Sequence, residues 1–180
     1  GAVSRFRSEA LPWTESGIAL EDIYTQQRAL HKLGDGTDQV VSLDTLLDEA
    51  RAVLLLGEPG AGKTTALRAY GLRLARVCRV DQSGITDGRI PVYVPLKEYD
   101  ALEQDQTMSA SNRLVTFIRR FMPVLSETQQ EQLLGAGQAT LLMDGLDEIA
   151  DSRTRAQIVG EIQTFATSHL GRDCQVIVTC

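Results

Sequence analysis

The sequence has few residues suited to nucleophilic catalysis or to transition-metal binding. Its three cysteines, Cys78, Cys174 and Cys180, lie far apart and form no C-x-x-C pair. This spacing argues against a zinc site and favours ordinary core thiols. His31 and His169 are the only histidines, and nothing near either one in the sequence supports a Ser-His-Asp or Cys-His mechanism.

A net positive charge and long apolar runs are also lacking. The formal net charge is −6, which argues against a general nucleic-acid surface or an anionic-membrane surface. No apolar run approaches the length of a membrane span, and the first residues lack the apolar core of a signal peptide. We therefore expect a cytoplasmic protein with no membrane partner and no general nucleic-acid binding. Apolar residues make up 43% of the chain, which is typical of a globular domain.

Short apolar runs alternate with segments of helical periodicity. This alternation predicts a parallel sheet with helices on both faces, and such sheets bind ligands at the carboxyl ends of their strands. The predicted strands are 52–56, 90–96, 139–143 and 174–180. The predicted helices are 42–50, 63–78, 111–122, a segment beginning after Ser126 and ending near Gly135, and 152–170.

Local signals add detail outside the predicted strands. Ser42 is a candidate N-cap, and Ser126 with Gln129 forms a candidate capping box. The segment 81–89 is polar and is predicted to be a loop. The region 16–36 favours a short helix ending near Gly34.

The first predicted strand leads into a glycine-rich turn that fits the pattern G-x-x-x-x-G-K-[ST]. Backbone N–H groups in such a turn, together with a helix N-terminus, provide many donors for a polyphosphate. The lysine brings a positive charge to the terminal phosphates, and the following hydroxyl suits Mg²⁺. The alternative is a turn that only joins a strand to a helix. The predicted nucleotide-binding residues of this turn are Gly57, Glu58, Pro59, Gly60, Ala61, Gly62, Lys63, Thr64 and Thr65.

A second predicted strand ends in an acidic cluster with the sequence MDGLDE at 143–148. Carboxylates this close repel one another unless a cation lies between them. We expect Asp144 to hold Mg²⁺ through the water of the ion, with Thr64 as the other metal-binding residue, and Asp147 or Glu148 to orient or deprotonate a water. The alternative is a solvated acidic turn that caps a helix.

Together, the segments VLLLGEPGAGKTT at 53–65 and LLMDGLDEI at 141–149 resemble a NACHT domain, a branch of the STAND class of P-loop ATPases. The segment QVIVTC at 175–180 resembles the sensor strand of that family, and Lys97 lies where a basic residue often follows the second strand. The segment LEDIYTQQ at 20–27 resembles the part that packs near the adenine, which makes Ile23 and Tyr24 candidate base contacts. Their alternative role is as ordinary core residues.

The resemblance implies a P-loop NTPase fold of the ASCE/STAND type that binds ATP or ADP with Mg²⁺. It implies slow hydrolysis, with the nucleotide state controlling self-association and an effector domain, in innate immune or antiphage defence. Effector and sensor domains would lie outside the chain. We expect an N-terminal segment over 1–50 and a nucleotide-binding core over 51–180 that lacks its fifth strand. That would leave the strand at 52–56 at the edge of the sheet. We also expect weak nucleotide binding and weak or no ATPase activity in this piece.

Other P-loop functions remain open. An AAA+ motor or a kinase would use the same two motifs, and a scaffold could bind a nucleotide without cutting it. A GTPase is disfavoured because the sequence has no N-K-x-D motif.

Overall fold

The computed structural model describes residues 28–32, 37–81, 84–100 and 110–180. Ile23 and Tyr24 lie outside these ranges. The described elements in chain order are β1 (Arg28–Lys32), β2 (Asp38–Ser42), α1 (Leu43–Glu49), β3 (Ala52–Leu55), α2 (Lys63–Val77), β4 (Arg79–Asp81), β5 (Gly84–Asp87), β6 (Ile90–Pro95), α3 (Leu96–Asp100), α4 (Ala110–Arg119), α5 (Glu127–Gly135), β7 (Ala139–Asp144), a 3₁₀ helix (Leu146–Glu148), α6 (Ser152–Thr167) and β8 (Gln175–Thr179).

The predicted α/β architecture is confirmed. Four strands form one sheet in the order β3-β8-β7-β6, and every pairing in it is parallel. Every residue of β7 and β8 is buried, because these two central strands are covered on both faces. This is why their sequences are nearly continuous apolar runs.

Helices cover both faces of the sheet, and the alternation of side chains along each strand decides which face a residue joins. Leu142 and Ile177 point to the face covered by α1 and α2, where the buried core includes Leu43, Leu47, Leu67 and Tyr70. Their neighbours in sequence point to the opposite face. The core there includes Leu141, Met143, Val176, Val178, Leu114, Phe117, Ile118, Leu134, Ile158, Ile162 and Phe165.

Two sequence predictions of local structure are wrong. The segment Arg28–Lys32 is a strand paired antiparallel with Asp38–Ser42, where a helix ending near Gly34 was expected. The polar segment 81–89 contributes to a second hairpin, in which Arg79–Asp81 pairs with Gly84–Asp87. These hairpins have only two strands each, and strands this short carry a weak periodic signal.

The capping signals and helix ends predicted from the sequence agree with the structure in part. At the start of α5, the Ser126 hydroxyl accepts a hydrogen bond from the Gln129 N–H, and the Gln129 side chain accepts one from the Ser126 N–H, which confirms the capping box. Ser42 precedes α1, but its side chain makes no capping hydrogen bond. The helix predicted to run to 122 ends at Arg119.

Strand β3 lies at an edge of the described sheet, as expected, and pairs with β8 alone. Leu54 of this strand is 56% exposed. None of the helices in the described ranges combines the length and the apolar character needed to cross a bilayer.

Candidate functional site

The loop between β3 and α2 uses glycine where its backbone requires it. Gly60 and Gly62 have φ angles of +82° and +83°, in the left-handed region that other residues rarely adopt. Gly57 has no positive φ, so its backbone does not demand glycine. A Cβ added at Gly60 would meet no atom within 4 Å, which leaves the loop backbone accessible to a ligand.

Helix α2 begins at Lys63, directly after this loop. Its N-cap is Gly62, which supplies no side-chain hydrogen bond, and its first turn contains no acidic residue. The first N–H groups of a helix have no partner within the helix, and the helix dipole makes this end favourable for an anion. The first turn, including Thr64 and Thr65, lines the cavity described below.

The ammonium of Lys63 lies among oxygen atoms at the loop. It donates to the backbone oxygens of Gly57 and Glu58 at 2.7 and 3.2 Å and lies 3.3 Å from Oδ2 of Asp147. The side chain is only 10% exposed. Lys63 therefore joins the glycine-rich loop to the acidic cluster.

Asp144 ends β7 beneath the start of α2, and its carboxylate accepts hydrogen bonds from three hydroxyl groups. Oδ1 accepts from Thr64 at 3.1 Å and from Thr179 at 2.6 Å. Oδ2 accepts from Tyr93 at 2.6 Å. Asp144 is only 7% exposed, and these bonds compensate for much of the cost of burying a carboxylate.

The strand register explains why these residues meet. Tyr93 is level with Leu142 in the sheet, two residues before Asp144, and both side chains face α2. Thr179 follows Val178, which is level with Met143. Parallel strands thus bring side chains from β6 and β8 to the Asp144 carboxylate at their carboxyl ends.

Tyr93 also contacts the helix above it. Nη2 of Arg68 donates to the Tyr93 hydroxyl at 3.4 Å, and the guanidinium lies 5.3 Å from the centre of the ring. Burial and the hydrogen bond to Asp144 raise the pKa of Tyr93 well above its ordinary value, so the phenol stays protonated and remains a donor.

The other two carboxylates of the cluster lie on the 3₁₀ helix that follows Gly145. This glycine has a φ of +82°, which turns the chain sharply after β7. Asp147 faces Lys63, whereas Oε2 of Glu148 lies 3.7 Å from the Lys97 ammonium. The two adjacent carboxylates therefore have different cationic partners.

The loop, the first turn of α2 and the acidic cluster enclose a cavity of about 350 Å³. A second cavity of about 740 Å³ lies beside it, against β1, α1 and β3, and the two share Ala61 and Lys63. The lining of the smaller cavity is Pro59, Gly60, Ala61, Gly62, Lys63, Thr64, Thr65, Gly145, Asp147, Glu148 and Thr179.

The structure brings together the site residues predicted from the two motifs. Thr64 bonds to Asp144, and Lys63 pairs with Asp147. Sequence reasoning missed the contributions of Tyr93 and Thr179. Each lies in the carboxyl-terminal half of an apolar strand, with its polar group on the α2 face. This position indicates a contact with Asp144 only when β6 and β8 are known to flank β7.

Comparison of the sequence with protein-family models gives no match, and comparison with curated proteins gives no match either. The geometry of the site therefore carries the functional argument.

Proposed function

We propose that this chain binds ATP or ADP with Mg²⁺ at the loop between β3 and α2 and that it hydrolyses ATP slowly. The observation that carries the proposal is that Lys63 and Thr64 line one cavity, where the Thr64 hydroxyl is hydrogen-bonded to the buried Asp144 carboxylate. Lys63 and Thr64 come from the strand-to-helix turn, and Asp144 comes from another strand 80 residues later.

The cavity suits a polyphosphate. Gly60 and Gly62 line it, the backbone at Gly60 is open, and the first turn of α2 adds N–H groups that no side chain caps. The Lys63 ammonium is a point charge on a flexible stem, so it can exchange its present carbonyl partners for phosphate oxygens. We assign phosphate binding to these groups.

The donors present fit Mg²⁺ rather than a softer metal. Thr64 and Asp144 present hydroxyl and carboxylate oxygens, the ligand type that Mg²⁺ takes. Mg²⁺ is commonly held by one or two protein oxygens, with phosphates and water completing its octahedron. Thr64 and Asp144 would supply the protein oxygens. Once bound, the ion would neutralise charge on the phosphates.

We assign the orientation of the attacking water to Glu148. Asp147 is paired with the lysine that faces the phosphates and is better suited to balancing that charge. Glu148 lines the same cavity, and its partner Lys97 lies outside the loop. A carboxylate at the cavity wall can position a water for attack on the terminal phosphate.

The larger cavity is the proposed position of the base and ribose. It adjoins the phosphate loop at Ala61 and Lys63, and its remaining wall is mostly apolar, from Leu43, Leu46, Val53 and Leu55. Ligand pockets generally combine apolar walls with a few polar groups. A purine ring would contact this wall while its phosphates extend into the smaller cavity.

The resemblance to NACHT domains supports a signalling role, in which the nucleotide state controls self-association and a separate effector domain. The parallel sheet, in which β8 lies between β3 and β7, is compatible with a P-loop fold, and the ASCE/STAND type is part of this proposal. Innate immune or antiphage defence and a cytoplasmic location remain part of this proposal.

Nucleotide binding is tested by calorimetric titration with Mg²⁺–ATP, comparing wild type with Lys63→Ala. A hydrogen bond to a charged group contributes about 1.5–3 kcal/mol, so we expect affinity to fall roughly 10- to 100-fold. Arg73→Ala is the matched control, because Arg73 is another cation of α2 and pairs with Asp48 away from the cavity. Equal affinity in wild type and Lys63→Ala would contradict the proposal.

A further inference from the structure

The side chains around the smaller cavity carry more negative than positive charge. Among the described residues that line it, Lys63 is the only cation, whereas Asp147 and Glu148 are both carboxylates. The Asp144 carboxylate is buried behind Thr64 and adds a further negative charge. A polyphosphate that enters this cavity is therefore attracted by one lysine and repelled by a larger number of acidic groups.

The charge of Lys63 is already offset within the protein. A lysine ammonium has three N–H donors, and that of Lys63 has three oxygen neighbours within 3.3 Å. Two are the backbone oxygens of Gly57 and Glu58, and the third is Oδ2 of Asp147. Of these three, only Asp147 is charged. A phosphate that approaches Lys63 therefore shares the ammonium with a carboxylate.

The position of Asp147 is fixed by the short 3₁₀ helix that contains it. The chain turns at Gly145, which has a φ of +82°, and the helix is anchored on the core by Leu146 and Ile149, which are 4% and 1% exposed. The Asp147 side chain itself is 34% exposed and faces Lys63 from the cavity wall. Its carboxylate is thus held against the lysine by buried neighbours in sequence.

Glu148 is adjacent in sequence but has a different cationic partner. Its Oε2 lies 3.7 Å from the ammonium of Lys97, whose side chain is 76% exposed. Asp147 is the carboxylate that contacts the lysine proposed to bind phosphate. The effect of the acidic wall on Lys63 is therefore assigned to Asp147.

We propose that Asp147 is a specificity-determining residue, which weakens the binding of free nucleotide so that the site selects the Mg²⁺ complex. This inference rests on the proposed nucleotide site. Free ATP brings its full negative charge against the Asp147 carboxylate, and both anions compete for the ammonium of Lys63. Mg²⁺ neutralises charge on the phosphates, so the same wall repels the Mg²⁺ complex less.

The test is Asp147→Asn, which removes the charge and nearly keeps the size of the side chain. ATP affinity is measured by titration calorimetry in Mg²⁺ and in EDTA. We take the upper end of the range for exposed ion pairs, because the Lys63 side chain is only 10% exposed. We then expect ATP in EDTA to bind about fivefold more tightly, and Mg²⁺–ATP to gain about twofold or less.

The salt dependence gives a second readout for the same variant. Added salt screens charges that are accessible to solvent. The gain of Asp147→Asn in EDTA should therefore shrink as the ionic strength rises. A gain caused by a change in packing would not depend on salt in this way.

Asp48→Asn is the matched control. Oδ1 of Asp48 lies 2.8 Å from Nη2 of Arg73, so this variant also removes a carboxylate that pairs with a cation of α2. Asp48 lines neither of the two cavities. The net charge of the chain changes by the same amount as in Asp147→Asn, so the ratio of ATP affinities in Mg²⁺ and in EDTA should equal that of wild type.

An equal gain in Mg²⁺ and in EDTA, or no gain in EDTA, overturns the inference while leaving nucleotide binding intact. A gain in EDTA that is unchanged at high salt also overturns it, as does an equal shift of the affinity ratio in Asp48→Asn. If neither wild type nor Asp147→Asn binds ATP in either condition, the proposed function and this inference fail together.

Discussion

The ion pair between Arg113 and the buried carboxylate of Glu161 gives a prediction that does not depend on the nucleotide site. Glu161 of α6 is 2% exposed. It accepts hydrogen bonds from Arg113 at 2.5 Å, from Gln157 at 3.1 Å and from the Tyr99 hydroxyl. These contacts tie α3 and α4 to α6, and α3 also contains Lys97, the partner of Glu148. We expect Arg113→Met to leave this carboxylate buried with only its neutral donors.

The size of the expected loss of stability in Arg113→Met follows from the hydrogen-bond partners that Glu161 keeps. Breaking a buried ion pair typically costs 3–5 kcal/mol, because an uncompensated charge is left behind. Tyr99 and Gln157 remain, so we expect the low end, about 3 kcal/mol. For a chain of this size each kcal/mol lowers the Tm by about 2–4 °C, which gives a decrease of about 6–12 °C.

The loss of folding stability in Arg113→Met should become smaller as the pH falls. Burial raises the pKa of Glu161, but the hydrogen bonds from Arg113, Tyr99 and Gln157 outweigh it and lower the pKa overall. In wild type this contributes stability above the unfolded pKa of about 4.3, and the contribution is lost as the pH falls through the folded pKa. Without Arg113, we expect the effect of burial on the pKa of Glu161 to outweigh the remaining hydrogen bonds. Protonation of Glu161 should then restore stability to Arg113→Met. The difference between the two proteins should therefore be largest near neutral pH and should shrink towards about pH 4.

The assay is thermal and urea unfolding of wild type, Arg113→Met and Arg113→Met/Glu161→Leu across this pH range. Replacing both members of a buried pair with apolar residues is often neutral or stabilising, so the double variant should recover most of the loss. A cost in the single variant below about 1 kcal/mol, or a difference that stays constant with pH, would refute the reasoning.

Two further predictions concern the nucleotide site. Thr64→Val removes the hydroxyl that bonds to Asp144 and should weaken Mg²⁺–ATP binding about tenfold while leaving binding in EDTA nearly unchanged; calorimetry showing the reverse order would contradict the metal assignment. Glu148→Gln should lower the ATP hydrolysis rate by about 100-fold or more, whereas Asp147→Asn should mainly change ATP affinity through Lys63. A phosphate-release assay in which neither variant is slower than wild type would favour a binding scaffold without catalysis.

Local sequence was sufficient for much of the fold. The four strands of the sheet lie within two residues of their predicted bounds, because apolar runs bounded by turn residues have few other ways to be buried. Ser126 and Gln129 predicted the start of α5, because a capping box uses only neighbouring residues. The short hairpins were missed, because their pairing depends on contacts with few local determinants.

The sequence by itself determined the chemistry of the loop: that glycines permit positive φ angles there, which cation follows them, and that a helix begins there. Only the tertiary structure decided what surrounds Asp144. The Tyr93 and Thr179 hydroxyls reach it because β8, β7 and β6 are adjacent and parallel in a fixed register. That adjacency depends on how the whole sheet packs between its helices, and no short stretch of sequence encodes it.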